Sequence, residues 1–420
     1  MGKIKVGVFG AARGMSMMQV LAFHPNAELV AVCDKYRPLL ENVQKLADDR
    51  QIKVALYEDF EDFINCDMDA AVLANYANEH APFAVRLLKS GRHVMSEVLP
   101  CETMAQAVEL IEAVEESGKI YAYAENYCYM AGPFEMRRRY EAGEIGEVQY
   151  AEGEYVHDCS SIWPQITYGE RNHWRNRSYS TFYCTHSLGP ILTVTGRRPV
   201  SVVGFETNTN TKRGSMDVSL KGGSGGIEMV TLDNGAIAKS LHGGLKREPG
   251  SINYEIYGTC GMMETNRWDG GEMAAYIEGE KLCRGDLKHY RPEPFVSSEL
   301  AAKTLGHGGS DFYTTHFFIE KIQGNPDGQK YGIDVYAAVD MGICGILAYR
   351  SILNGNIPVK VPNLRNKDER DAYRNDHACT NPAAAKGQLL PVSPYFDIDA
   401  IPDGDFEKCR QLWLEGKNAE

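Results

Sequence analysis

The chain has 420 residues, 43% of them hydrophobic and 24% charged, with a formal net charge of −13. This apolar content is enough for two domains with buried cores, and the acidic surface repels nucleic acid and anionic membranes. We therefore expect a small-molecule ligand.

Strands and helices alternate along the first 125 residues. Short apolar runs are separated by amphipathic stretches such as residues 103–117, whose apolar positions share one helical face. This alternation predicts βαβ units, a parallel sheet and a Rossmann-type doubly wound domain over residues 1–125. The predicted strands are residues 6–9, 29–33, 70–74, 93–96 and 120–124.

The pattern changes at about Glu147 to longer strand-like segments with hairpin punctuation. Residues 229–232 and 236–241 flank Asp233-Asn234-Gly235, where Asn-Gly favours a tight two-residue turn. We expect an α+β domain with a mostly antiparallel sheet over residues 126–420. Within it, the glycine-rich residues 222–226 are either a flexible connection or a ligand-facing loop. The last fifty residues, rich in Pro and Asn, predict an extended tail on the body of the protein.

The cysteines, the N-terminus and the lengths of the apolar runs indicate the cellular compartment. The eleven cysteines are scattered, with no Cys-x-x-Cys pair, which favours reduced thiols over disulfides or a structural zinc site. The N-terminus lacks a signal-peptide pattern, and no apolar run approaches the roughly 20 residues that span a bilayer. These features predict a cytoplasmic protein, and no ligand spacing suggests a metal.

A turn between the first strand and a helical pattern is the context of a dinucleotide site. Small residues let backbone amides approach a pyrophosphate, and a helix N-terminus favours its charge. The candidate turn residues are Gly10, Ala12, Arg13, Gly14 and Met15. Alanine and methionine replace the second and third expected glycines, so the alternative is that the glycines only permit close helix–strand packing.

Asp34 closes the next strand, 24 positions after Gly10. A carboxylate at this spacing bonds the adenosine ribose of a dinucleotide and repels a 2′-phosphate. The sequence therefore favours NAD over NADP, unless Asp34 is only a helix cap or a turn residue.

A segment further along resembles a known superfamily. Gly91-Arg-His-Val-Met-Ser-Glu97-Val98-Leu-Pro100 is similar to the part of the Gfo/Idh/MocA oxidoreductases where a glutamate precedes a catalytic lysine and a proline. Here Val98 occupies the lysine position. The pattern resembles that of the NAD-dependent glycosidases of family 109, the α-N-acetylgalactosaminidases and their relatives, which also lack this lysine. The resemblance continues through residues 125–129, 154–158, 183–190 and 306–312.

This resemblance implies glycoside cleavage assisted by a redox step. NAD⁺ takes a hydride from carbon 3 of a sugar, the ketone acidifies the proton on carbon 2, elimination expels the aglycone, water adds and the hydride returns. The resemblance also places Glu97 and Asn126 beside the nicotinamide ribose and implies a homo-oligomer formed through the open sheet of the second domain. We assign Asn75 to the cofactor as well.

Three residues are candidates for the acid–base chemistry. His186 is the choice for the base near carbon 3, because imidazole changes charge close to neutral pH. Tyr183 lies three residues earlier, so on a helical turn it faces the same pocket and serves the carbon 2 proton or polarises the ketone. His157, at the end of a strand-like run, is a candidate for substrate contact. Each also has a purely structural interpretation, and Gly189-Pro190 suggests a helix or turn boundary.

Other polar residues are candidates for sugar binding. His307 and Asp311 stand where a helix begins, with Ser310 as its cap, although the neighbouring glycines alone would explain a tight entry. Trp174 and Arg175 suit stacking and binding of a sugar ring. They lie in the basic cluster of residues 171–177, which either holds an anionic or polyhydroxylated ligand or is a solvated loop.

Two other functions remain open from the sequence. One is a net NAD-dependent sugar or glycoside dehydrogenase of the same superfamily. The other is a non-catalytic NAD-binding regulator, which would not need His157, Tyr183 and His186 together.

Overall fold

The computed structural model describes residues 2–207, 225–269, 271–280, 288–293, 306–395 and 398–419. The chain forms two compact units: unit 1 comprises Met1–Phe134 and Glu293–Val339, and unit 2 comprises Glu135–Pro292 and Asp340–Glu420. The domain predicted over residues 1–125 lies within unit 1. Residues 293–339, which the sequence analysis placed in the second domain, belong to unit 1 as well.

Unit 1 is built on a parallel sheet. Within the described part of the chain its strands are β1 Ile4–Phe9, β2 Ala27–Cys33, β3 Ala55–Tyr57, β4 Ala70–Leu73, β5 His93–Ser96 and β6 Tyr121–Tyr123. Their order is β3-β2-β1-β4-β5-β6, and every pairing is parallel. This is the strand order of a doubly wound dinucleotide-binding fold, so the predicted fold class of the N-terminal domain is confirmed.

The elements of unit 1 follow from local sequence. All four residues of β4 are buried, as expected for a strand of a parallel sheet covered on both faces. The helix Met104–Ser117 is capped by Thr103, whose side chain accepts a hydrogen bond from the backbone amide of Gln106. It ends at Gly118, which has a φ of +62° that glycine adopts without strain.

Unit 2 contains a large mixed sheet. Its strands, counted over the described residues, are β7 Val148–Val156, β8 Pro199–Glu206, β9 Gly225–Leu232, β10 Ile237–Gly243, β11 Ser251–Gly258, β12 Gly261–Thr265, β13 Met273–Ile277, β14 Lys288–Tyr290 and β15 Val359–Lys360. The order is β14-β13-β12-β11-β7-β10-β9-β8-β15. The β7–β10 pair is parallel and the other pairs are antiparallel, which confirms a mostly antiparallel sheet.

The hairpin between β9 and β10 is confirmed, but its predicted two-residue turn is wrong. The strands pair as Thr231 with Ile237, and the four residues 233–236 connect them. Gly235 has a φ of +87°, whereas a two-residue Asn-Gly turn needs a positive φ at both central residues and Asn234 lacks one. In the glycine-rich stretch, residues 225–226 belong to β9, which corrects the flexible-connection prediction there, and residues 222–224 lie outside the described residues.

The α-helices are, in chain order and within the described residues, α1 Met15–Leu21, α2 Arg37–Arg50, α3 Phe60–Phe63, α4 His80–Lys89, α5 Met104–Ser117, α6 Ala131–Glu141, α7 Trp163–Thr167, α8 Trp174–Arg177, α9 Thr185–Thr195, α10 Ser310–Ile322, α11 Pro326–Tyr331, α12 Val335–Leu353, α13 Lys367–Asp371 and α14 Asp403–Leu414. The C-terminal region is therefore not simply an extended tail. In α14, Phe406 and Cys409 pack with Trp163, Val392 and Ile401 in a small apolar cluster.

One helical segment of the described chain, Pro326–Leu353, is long and apolar enough to span a membrane, with a mean hydropathy of 1.4. The expectation that no apolar run approaches that length is therefore wrong for this segment. In the structure 72% of its apolar window is buried, as in the core helix of a globular protein.

Candidate functional site

The turn that follows β1 is tightly packed. Gly10 has a φ of +101°, and a Cβ atom there would lie 2.3 Å from the carbonyl of Ala74. A Cβ atom on Gly14 would lie 2.2 Å from the carbonyl oxygen of Gly10. Both positions therefore require glycine, whereas Ala12 is exposed and has room for its methyl group. Helix α1 starts directly afterwards at Met15, which gives the strand–turn–helix arrangement of a pyrophosphate cradle.

Asp34 braces this turn. Its carboxylate accepts hydrogen bonds from the amides of Ala11, at 2.7 Å, and Tyr36, at 2.9 Å. Burial raises the pKa of Asp34 above its usual value, although the two amide bonds oppose the shift. Each carboxylate oxygen has a second lone pair for a ribose hydroxyl. The role as a turn residue and the role as a ribose ligand are thus compatible.

Asn75 offers an acceptor beside the same turn. A Cβ atom on Gly10 would lie 2.5 Å from the backbone nitrogen of Asn75, so the two backbones are in close contact. The Oδ1 atom of Asn75 is buried and has no hydrogen-bond donor among the described residues. A buried acceptor without a donor is costly unless a ligand supplies one. The tight glycine turn, Asp34 and this acceptor together fit a hydroxyl-bearing dinucleotide.

A charged cluster in unit 1 centres on Arg13. Its guanidinium holds the Asp311 carboxylate through two bonds of 2.8 and 3.1 Å, and it also contacts Glu97 at 2.7 Å. His307 Nδ1 lies 2.8 Å from the Asp311 Oδ2 atom, and Asn126 donates to Asp311 at 3.5 Å. The structure thus brings Asp311 and His307, which the sequence analysis assigned to the sugar, together with three residues assigned to the cofactor.

The environment of Asp311 keeps it ionised. Burial acts to raise the pKa of this carboxyl, but hydrogen bonds from His307 and Arg13 outweigh burial and hold the pKa far below its usual range. The predicted cap of α10 is wrong, because Gly309 occupies the N-cap position and the Ser310 hydroxyl donates to the carbonyl of His307. The left-handed backbone at residues 307–309 turns the chain into the helix instead.

Val98 is 5% exposed and stands at the position where the resemblance described above predicts a lysine. A buried isopropyl group has no proton to transfer.

Unit 2 contains a cluster of aromatic residues and histidines. His186 is the second residue of α9 and is 5% exposed. Its ring lies edge-on to Tyr183 with the ring centres 4.9 Å apart, and edge-on to Tyr155 at 4.7 Å. Tyr183 precedes α9 rather than lying on it, but the predicted proximity of Tyr183 and His186 is confirmed.

His157 joins this cluster through Tyr155. The Tyr155 hydroxyl lies 3.2 Å from Nδ1 of His157, which follows the last residue of β7. A hydrogen bond with Cys159 raises the pKa of His157, and burial and the charge of Arg175 act in the opposite direction. The cluster thus contains two imidazoles and two phenols.

Pro190 and Tyr254 fix the backbone at His186. Pro190 lies inside α9, so the predicted boundary at residues 189–190 is wrong. Proline has no N–H to donate to the carbonyl four residues earlier, which belongs to His186. The buried Tyr254 hydroxyl donates to that carbonyl at 2.6 Å. A side chain from β11 thus replaces the missing helical bond.

The predicted sugar-binding pair adjoins the cluster. Trp174 stacks on Tyr183 with the ring centres 5.8 Å apart, and the Arg175 guanidinium lies over Trp174 at 4.3 Å. Both residues lie on α8, and both are partly exposed.

Two residues of this cluster were missed by the sequence analysis. Tyr155 lies two positions before His157, and the two-residue period of a strand would have placed both side chains on one face. Tyr254 had no such signal, because its contact with His186 joins residues 68 positions apart.

Comparisons with known proteins agree with this architecture. Residues 4–125 match a family profile described as oxidoreductase family, NAD-binding Rossmann fold. Residues 134–368 match one described as glycosyl hydrolase 109, C-terminal domain. The chain is 24% identical to glycosyl hydrolase family 109 protein 1 of Bacteroides thetaiotaomicron, over 86% of this chain and 84% of the relative. It is 23% identical to a family 109 protein of Porphyromonas gingivalis, over 89% and 87%.

Solved structures share the fold. A levoglucosan dehydrogenase in complex with NADH and levoglucosan superposes with a TM-score of 0.69 at 17% identity, covering 86% of this chain and all of the other. The aldose-aldose oxidoreductase of Caulobacter crescentus, complexed with glycerol, gives a TM-score of 0.65 at 18% identity with the same coverage. The cofactor of the Rossmann domain is NAD, as its family profile states.

Proposed function

Because the chain belongs to glycosyl hydrolase family 109 and to the NAD-binding Gfo/Idh/MocA oxidoreductases, we propose that it is an NAD-dependent glycosidase. It would cleave its substrate by transient oxidation at carbon 3. The observation that carries this proposal is the cluster of His186, Tyr183, Tyr155 and His157, combined with the buried Val98 in the position of the usual lysine.

Residues of unit 1 would hold the cofactor. The turn that Gly10 and Gly14 keep compact would hold the pyrophosphate at the start of α1, and Asp34 and Asn75 offer acceptors for ribose hydroxyls. Bound NAD⁺ would accept a hydride from carbon 3 of the sugar and later return it, so that it is recycled. The ion pair of Arg13 with Asp311 also positions Glu97 next to the residues that would hold the cofactor.

Residues of unit 2 would move the protons. His186 takes the proton of the carbon 3 hydroxyl, since a neutral imidazole is a competent base near neutral pH. Tyr183 removes the carbon 2 proton or polarises the ketone through its hydroxyl. His157, whose pKa is raised by the hydrogen bond with Cys159, suits proton donation to the departing aglycone.

Turnover in deuterated water tests the elimination step. Purified enzyme with NAD⁺ and nitrophenyl glycosides should release a sugar that carries deuterium at carbon 2, with no accumulation of NADH. His186→Ala should abolish release, whereas the control His377→Ala, on the C-terminal segment, should not. Unlabelled sugar would exclude elimination, and stoichiometric NADH would instead support a net dehydrogenase.

We also propose that the open face of the unit 2 sheet forms a subunit contact. Tyr257 and Tyr276 both pair with Met262 on the strand between them, so their side chains lie on the same face of the sheet. Both are large, exposed aromatic residues. Sedimentation velocity should give a homo-oligomer that Tyr257→Arg dissociates. A monomer at all concentrations would exclude this assembly.

A further inference from the structure

Three arginines lie in residues 171–177, and acidic side chains neutralise two of them. The Arg171 guanidinium contacts the Asp403 carboxylate at 2.6 Å and covers the Phe406 ring at 4.4 Å. Arg177 lies 3.5 Å from the Asp399 carboxylate. The charges of Arg171 and Arg177 are therefore balanced by carboxylates of the same chain.

Arg175 differs from its neighbours. No carboxylate in the described part of the chain lies within ion-pair distance of its guanidinium, which instead rests over Trp174 and, at 5.8 Å, over Tyr183. Tyr183 is in edge contact with His186, the proposed base. Arg175, which has no acidic partner among the described residues, thus lies beside the acid–base cluster.

A second arginine, Arg247, follows the strand whose end contacts His157. The amide of His157 donates to the carbonyl of Gly243 at the end of β10, and Arg247 follows four residues later. Its neighbour Lys246 is paired with Asp158 at 2.7 Å. The Nε and Nη2 atoms of Arg247 are buried and have no acceptor among the described residues, and the guanidinium lies over Trp268 at 4.5 Å.

We propose that the substrate is a glycoside with an anionic substituent, a carboxylate or a sulfate ester, and that Arg175 binds this group. The inference rests on the proposed function, because it places the sugar at the His186 cluster. A planar guanidinium matches a carboxylate or a sulfate through two parallel hydrogen bonds. Stacking on Trp174 and Tyr183 limits its freedom, so little conformational entropy is lost when the anion binds.

The C-terminal segment holds α8 in place for this role. A Cβ atom on Gly169 would lie 2.4 Å from the backbone nitrogen of Arg410, so α14 packs directly on the loop that precedes α8. The indole of Trp163, in α7, donates to Asn176 of α8 at 3.0 Å. The contact with Arg410 and the ion pair of Arg171 with Asp403 both come from residues beyond 368, where the family 109 profile ends. A segment outside the matched domain thus helps to hold the loop that precedes α8.

Calorimetry on the NAD-loaded enzyme tests the inference. The probes are methyl hexuronides, methyl hexoside 6-sulfates and the matching neutral methyl hexosides. Hydrogen bonds to charged groups predict that the preferred anionic probe binds about 10- to 100-fold more tightly than its neutral counterpart. The carboxylate and sulfate probes show which anion the site accepts.

Variants separate recognition from folding. Arg175→Gln should abolish the difference between anionic and neutral probes, and Arg175→Lys should retain part of it. The control Arg197→Gln removes an arginine of similar exposure that is paired with Glu147, and it should keep the full preference. Thermal unfolding checks that each variant is folded.

The outcomes distinguish the two proposals. Equal affinity for anionic and neutral probes, or an unchanged preference in Arg175→Gln, would overturn the role of Arg175 without affecting the glycosidase. A clear anion preference that depends on Arg175, with no glycoside cleaved, would instead leave the inference standing and reject the proposed reaction.

Discussion

Replacing Tyr254 by phenylalanine tests how the position of His186 is fixed. The variant removes the hydroxyl that donates to the His186 carbonyl at 2.6 Å and leaves the ring in place. Because Tyr254 is 2% exposed, water cannot readily replace its hydroxyl at this carbonyl. Loss of a buried hydrogen bond costs about 1–3 kcal/mol, so Tyr254→Phe should lower the free energy of unfolding by that amount.

Pro190→Ala supplies the missing donor. Alanine at this position has an N–H four residues after His186, which restores the helical hydrogen bond to the same carbonyl. Tyr254→Phe should therefore cost about 1 kcal/mol less in the Pro190→Ala background than in the natural chain. The assay is urea unfolding of the four members of this cycle, with Tyr395→Phe, at an exposed position, as a control.

The cycle also has a catalytic readout. If the carbonyl bond orients His186, then kcat should fall in Tyr254→Phe and recover in the double variant, while KM changes little. Equal unfolding costs in both backgrounds would show that the two donors do not serve one carbonyl, and the reasoning would be refuted.

Two further predictions concern ion pairs. Asp311→Asn should destabilise unit 1 by about 1–3 kcal/mol, which is less than the loss of a fully buried ion pair because Arg13 is 31% exposed. Since the pKa of Asp311 is lowered in the folded state, the stability advantage of the natural chain should be complete above pH 3.8, the usual pKa, and should shrink as the pH falls below it. Thermal unfolding across this pH range checks the prediction. Arg171→Gln breaks the bond to Asp403 and should speed the hydrogen exchange of residues 163–177, as followed by mass spectrometry. The control Arg197→Gln, at a position of similar exposure, should not change this exchange. Unchanged exchange in both variants would show that α14 does not hold the loop.

Most of the fold was predictable because it is encoded in short-range patterns. The strand–helix alternation of unit 1 is a local signal, and the predicted bounds of β1, β2, β4, β5 and β6 lie within two residues of those in the structure. The short strand β3 was not predicted. Local rules failed at Pro190, because a proline inside a helix is tolerated only when a distant side chain replaces the lost bond. They also failed at α14, whose apolar residues are few and pack on the distant α7.

The site was predictable only in part. Tyr183 and His186 are three residues apart, so their proximity follows from the chain itself. The pairing of Arg13 with Asp311 spans 298 positions and depends on how α10 packs in unit 1, which no local pattern records. Both residues were therefore predicted, but in different sites.

The most direct test of the central claim follows one hydrogen atom. The enzyme is mixed with NAD⁺ and a glycoside deuterated at carbon 3, the reaction is quenched during turnover, and the nicotinamide is analysed by mass spectrometry. We predict that deuterium enters the nicotinamide ring during turnover and is found again at carbon 3 of the released sugar. Cleavage of the glycoside with no deuterium in the nicotinamide at any time would contradict the redox-assisted reaction.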